Sequence, residues 1–127
     1  MKILVVDDEA DVRVLFEQRF RREIRSGLLA FSFAYSGEEA LDYLHGHHSE
    51  VVLILSDINM PGMSGLELLS RVRTEPAPPP PPRVMMITAY GDVESRTQAL
   101  SLGADDFMTK PVDFAALKEK LLALPSA

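Results

Sequence analysis

The chain has 127 residues, 46% of them hydrophobic and 25% charged, the size and composition of a single domain with a packed core. It has no cysteine, which excludes disulfides and thiolate metal sites. Its formal net charge of −6 argues against direct nucleic-acid binding through a basic surface.

The chain opens on Ile3–Val6, almost wholly apolar and rich in Val and Ile, the pattern of a strand buried on both faces. This run stops at Asp7-Asp8, too short for an export signal. No later run approaches the ~20 residues of a membrane span, so a cytoplasmic location is expected. Next, Val12, Leu15, Phe16, Phe20 and Ile24 fall on one stripe and predict a single helix over Asp11–Arg25. Leu29–Ala34 alternates, with Phe31 and Phe33 on one face, as an edge strand does. Ser36 before Glu38 and Glu39 reads as an N-cap with an acidic first turn, and Ala40, Leu41 and Leu44 form the buried side of that helix. His45, His47 and His48 cluster at its end, where they either match the helix dipole or hold a metal.

Val51–Leu55 is the third strand, followed by Asp57, Asn59 and a Met60-Pro61-Gly62 turn. Ser64 caps a third helix carrying Leu66, Leu69 and Val72. Five consecutive prolines, Pro78–Pro82, then exclude helix and favour a polyproline II loop. That loop is either a stiff surface connection or a ligand for a proline-binding module. Val84–Ile87 is the fourth strand, ending at Thr88. Asp92 or Gly91 opens a fourth helix that stops near Gly103. Asp106–Thr109 is the fifth strand, and Lys110-Pro111 follows it. Asp113 caps a fifth helix over Asp113–Leu124, with Phe114, Leu117 and Leu121 inward, and Pro125-Ser126-Ala127 trail it with no basic effector domain following.

Five β-α units in succession predict an α/β fold: a parallel sheet with helices on both faces and right-handed crossovers. Ligands of such folds sit beyond the carboxyl ends of the strands. Asp7, Asp8, Asp57, Asn59, Thr88 and Lys110 all fall there. Three carboxylates in one pocket repel one another unless a cation intervenes, and hard oxygen ligands suit magnesium (or manganese). Lys110 adds a point charge and Thr88 a hydroxyl donor, a set suited to a phosphoryl group with Asp57 as nucleophile. Singly, each residue has a plainer role: Asp7 and Asp8 as helix caps, Asp57 as a turn initiator, Thr88 as a strand end, Lys110 as a solvated lysine.

Five motifs together resemble the receiver domain of bacterial two-component response regulators: Val5-Val6-Asp7-Asp8-Glu9, the stretch Ser56–Gly65, Ile87-Thr88-Ala89-Tyr90, Gly103–Phe107 and Thr109-Lys110-Pro111. The resemblance covers essentially all 127 residues. It implies a flavodoxin-like, doubly wound, five-stranded sheet of order 2-1-3-4-5. It further implies phosphorylation of Asp57 from a phosphohistidine on a sensor histidine kinase or histidine phosphotransfer protein. By the same carry-over, Asp8, Asp57 and the Asn59 carbonyl ligate magnesium, with Asp7 acting through a water. Thr88 and the Ala89 N–H hold phosphoryl oxygens, Lys110 pairs with another, and Lys110–Pro111 is cis. Thr88 and Phe107 match the switch positions that pass the signal to the fourth helix, fifth strand and fifth helix. That surface would dock a downstream effector or fused output domain, or form a homodimer. The chain is then either a standalone receiver or one cut from a longer protein. No membrane partner is implied.

Two residues bear on turnover. Asn59 stands where haloacid-dehalogenase-like phosphatases place a general acid, and an amide cannot transfer that proton, so a phosphoacceptor is expected rather than a phosphatase. Tyr90, two beyond Thr88, is expected to flank the path of hydrolytic water and to slow loss of the phosphoryl group. Tyr90→Ala should therefore shorten the lifetime of purified phosphoprotein in magnesium, and equal decay of both proteins would refute that gating role.

Overall fold

The computed structural model describes residues 1–47, 50–76, 79–89 and 92–124. The roles expected of His48, Pro78, Tyr90, Gly91 and the 125–127 tail lie outside the described residues. The elements are β1 (Lys2–Val6), α1 (Asp11–Arg19), α2 (Arg21–Arg25), β2 (Ala30–Ala34), α3 (Gly37–His47), β3 (Val51–Asp57), α4 (Gly65–Thr74), β4 (Arg83–Thr88), α5 (Val93–Ser101), β5 (Asp106–Thr109) and α6 (Phe114–Leu122). All neighbouring strands pair in parallel, in the order β2-β1-β3-β4-β5. This is the doubly wound sheet expected, with β2 at an edge.

Side chains of the central strands alternate between two cores because successive residues point to opposite faces. Leu4, Val6 and Ile54 pack with Leu44, Leu68 and Leu69 under α3 and α4. Ile3, Val5, Leu53 and Leu55 pack with Phe16, Phe20, Leu117 and Leu121 under α1 and α6. The predicted caps are in place: the Ser64 hydroxyl accepts from Glu67 N, Asp92 from Ser95 N, and Asp113 from Ala115 N and Ala116 N. Each cap contributes on the order of 1 kcal/mol. No described helix is long and apolar enough to cross a membrane.

The first predicted helix is not continuous. Phe20, at φ −112° and ψ 24°, separates α1 from α2. Neither proline nor glycine causes the break. Phe20 is 1% exposed and its ring packs against Phe16, Phe31 and Phe114. Burial of two large rings in one aromatic cluster outweighs a few tenths of a kcal/mol of helix propensity. Leu15, expected inward, is 43% exposed, and Val14 beside it is 53% exposed. Within the proline loop the Pro79–Pro80 peptide is cis. As the sequence implied, the loop feeds the amino end of β4, where Arg73 Nη1 donates to Pro82 O.

Gly65 starts α4 against the end of β3, its N–H donating to Ile58 O at 2.8 Å. A Cβ there would fall on the Asp57 carbonyl and within 2.8 Å of Ile58 Cα, both backbone atoms. A glycine free of such contacts gains from replacement by alanine inside a helix. Gly65→Ala should instead destabilise the fold by about 1–3 kcal/mol, the cost of overpacking. The check is a lower urea midpoint at unchanged m-value.

Candidate functional site

The site forms because β1 and β3 run side by side in register. Val6 pairs with Ser56, so Asp7 and Asp57 leave adjacent strands at one level. β3 extends two residues further than predicted, through Asp57, whose strand partner is Ile87 on β4. Asp57 is therefore held by the sheet itself and is only 3% exposed. Asp7 is 6% exposed, whereas Asp8 is open to solvent. One carboxylate oxygen from each of the three lies within 4.8 Å of the others.

Lys110 reaches this cluster from the end of β5. Its N–H donates to Thr88 O at 2.8 Å, which ties the loop to β4, and the Lys110–Pro111 peptide is cis as the resemblance implied. Its Nζ donates to Asp57 Oδ2 at 2.9 Å and stands 3.9 Å from Asp7 Oδ2. Burial opposes the ammonium, but the Asp57 hydrogen bond and the charges of Asp57 and Asp7 outweigh it and raise its pKa. Burial likewise raises the Asp7 carboxyl, the Asp57 charge adds to it, and the Glu9 N–H and Lys110 pull the other way. One ammonium thus faces three carboxylates. Oxygen donors with surplus negative charge, open on the Asp8 side, fit a hard divalent cation.

Asp7 and Asp8 do not cap the first helix. The N-cap position of α1 is Ala10, with no side-chain cap bond, and Asp7 Oδ1 accepts from Glu9 N at 2.9 Å. Asn59 N approaches Asp57 Oδ1 at 3.4 Å, and Gly62, at φ +74°, turns the chain back toward α4. Thr88 is 1% exposed and its hydroxyl donates to Ala89 O at 3.3 Å. Ala89 is exposed beside it. Among the described residues only the Asp7-Asp8-Asp57 group gathers metal-type ligands, so His45 and His47 form no such cluster with them.

Two features escaped the sequence. Phe107, half-buried on β5 beside Met86, lies under the Arg96 guanidinium of α5, 4.0 Å from its ring centroid. The one clue was that Arg96 is the only cation in that helix. A cavity of about 500 Å³ also opens next to Asp7 and Lys110, walled by Val12, Leu15, Phe16, Pro111 and Phe114. Of these walls Leu15 is exposed to solvent.

Asp7 makes a stability prediction. Its folded pKa is raised above the unfolded value near 3.8, so between the two values the folded chain binds the extra proton. Stability therefore falls as pH rises through that window. In metal-free buffer Asp7→Asn should be more stable than the parent at neutral pH, with the advantage vanishing below about 3.8. Urea midpoints at both pH values check this, and an advantage that persists in acid would contradict the linkage.

The family model for the response regulator receiver domain matches residues 3–122. Response regulator RppA of Synechocystis is 37% identical over 124 residues, which are 98% of this chain and 50% of that protein. A receiver protein from Pseudomonas putida is 30% identical with a TM-score of 0.79, covering 95% of this chain and 93% of that one. Chemotaxis protein CheY4 of Vibrio cholerae is 25% identical with a TM-score of 0.80, covering 98% of both chains. The chain spans about half the length or less of most of the curated relatives it matches. Sheet order, acidic cluster and relatives agree: this chain belongs to the response regulator receiver domains of two-component signalling systems.

Proposed function

We propose that Asp57 is a phosphoacceptor, taking its phosphoryl group from a phosphohistidine on a sensor histidine kinase or histidine phosphotransfer protein in the cytoplasm. The observation that carries this reading is a buried strand-end carboxylate bonded by Lys110 inside an under-neutralised acidic cluster. Asp57 attacks phosphorus through a carboxylate oxygen as the P–N bond breaks. The bond electrons stay on the donor imidazole, which leaves neutral with a proton on its other ring nitrogen. Asp8, Asp57 and the Asn59 carbonyl, with Asp7 behind, would hold magnesium or manganese, which would supply the charge that lets phosphoryl oxygens approach these carboxylates. Lys110 Nζ, freed from Asp57, pairs with one phosphoryl oxygen. The Thr88 hydroxyl and Ala89 N–H take others. The chain is a stoichiometric acceptor that assists its own phosphorylation and slow dephosphorylation, not a turnover enzyme.

The donor approaches along the cavity between α1 and the Lys110–Phe114 loop, whose apolar walls and exposed Leu15 fit a partner helix. The signal leaves by the other side. A Thr88 hydroxyl drawn from Ala89 O toward the phosphoryl group vacates space for Phe107, whose inward move breaks its contact with Arg96. The surface of α5, β5 and α6 then changes its affinity for an effector, a fused output domain or a second copy.

Acetyl phosphate with magnesium is expected to add one phosphoryl mass to the protein, and neither Asp57→Asn nor chelated samples should gain it. No gain in the parent would instead mark a receiver-like interaction module. Leu15→Asp should slow transfer from a phosphohistidine protein at least about tenfold while leaving the acetyl phosphate rate unchanged.

A further inference from the structure

A second charged feature lies at the other end of the sheet. Arg19, Arg21, Arg22 and Arg25 put four cations into seven positions of a chain whose net charge is −6. The one acid among them, Glu23, bonds Lys118 Nζ at 2.8 Å, which holds its carboxyl below the ordinary range. Arg21, Arg22 and Arg25 are exposed and make no ion pair among the described residues. Arg19, Arg21 and Arg22 line a groove of about 370 Å³ together with the Glu23–Lys118 pair. Arg19 is steadied there, its guanidinium 5.5 Å from the Phe114 ring centroid.

The groove is remote from Asp57. Leu29 N donates to Glu23 O, and Ala30 N to Met1 O, so α2 meets the amino ends of β1 and β2. Asp7 and Asp57 stand at the carboxyl ends. Clustered guanidiniums repel one another, the single Glu23 carboxylate beside them is already bonded to Lys118, and an anionic partner relieves the remaining repulsion.

We propose that this groove docks an acidic segment of a partner protein, and that it does so whether or not Asp57 is phosphorylated. Charge decides between a protein segment and nucleic acid. Four arginines and Lys118 against Glu23 give the patch +4, so the remainder of the chain carries −10. A long duplex would run past the patch into that negative remainder within a Debye length of ~10 Å. A short run of carboxylates meets the patch alone.

A fluorescein-labelled octaglutamate peptide tests this with the whole chain, read by anisotropy at low ionic strength. Saturable binding is expected, weakening as salt rises through ~0.15 M. Arg21→Glu with Arg22→Glu should lower affinity at least tenfold while leaving the circular dichroism and acetyl phosphate labelling of Asp57 unchanged. Arg71→Gln, at a cation already paired with Glu67 and Glu75, should leave peptide binding intact. Absent or unsaturable binding, an equal loss in Arg71→Gln, or tighter binding of a short DNA duplex than of the peptide would overturn the proposal.

Discussion

The contact on which the site depends is the 2.9 Å bond from Lys110 Nζ to Asp57 Oδ2. A carboxylate only 3% exposed at the end of a central strand is costly unless a counter-charge reaches it. The nearest cation in sequence is far away, so the fold must deliver one. It does so through strand order: β4 lies between β3 and β5, and Lys110 leaves β5 bound to the backbone of Thr88 on β4. Parallel pairing brings all the carboxyl ends to one edge, so a lysine 53 residues from Asp57 becomes its partner.

That one ammonium cannot satisfy three carboxylates. Asp7 bears the deficit, buried 3.9 Å from Lys110 and pushed toward its neutral form. The arrangement costs stability, and close packing around it limits relief, since Gly65 lies directly against the Asp57 carbonyl. A stability-optimised chain would neutralise or remove Asp7. Its presence in such a tight corner is what a site organised around an added cation and an anion looks like.

Much of this was legible because local chemistry and global placement coincided. Strands announced themselves by Val and Ile runs, and the Ser64, Asp92 and Asp113 caps by side chains able to accept backbone N–H bonds. Asp7, Asp57, Thr88 and Lys110 stood out because polar residues directly after apolar runs share one edge in any such sheet. The strand order itself came from the resemblance, since alternation alone leaves it open. What stayed hidden depends on long-range contacts. The break at Phe20 is set by Phe31 and Phe114, which are distant in sequence. Arg96 over Phe107 and the backbone crowding at Gly65 are likewise meetings of separate elements.

The helix break connects the two ends of the molecule. α1 begins beside the acidic cluster, lines the cavity with Val12, Leu15 and Phe16, and ends at Arg19 on the basic groove. Nine helical residues span only about 13 Å. Both openings also lie on the face of the sheet covered by α1 and α6, since Phe114 borders the cavity and Lys118 the groove. A segment held on the arginines would thus leave α5 and β5 free, and would keep its protein on the side from which Asp57 is approached. Phe20, buried in the aromatic core, is the residue at which the chain passes from α1, ending at Arg19, to α2, which carries Arg21 and Arg22.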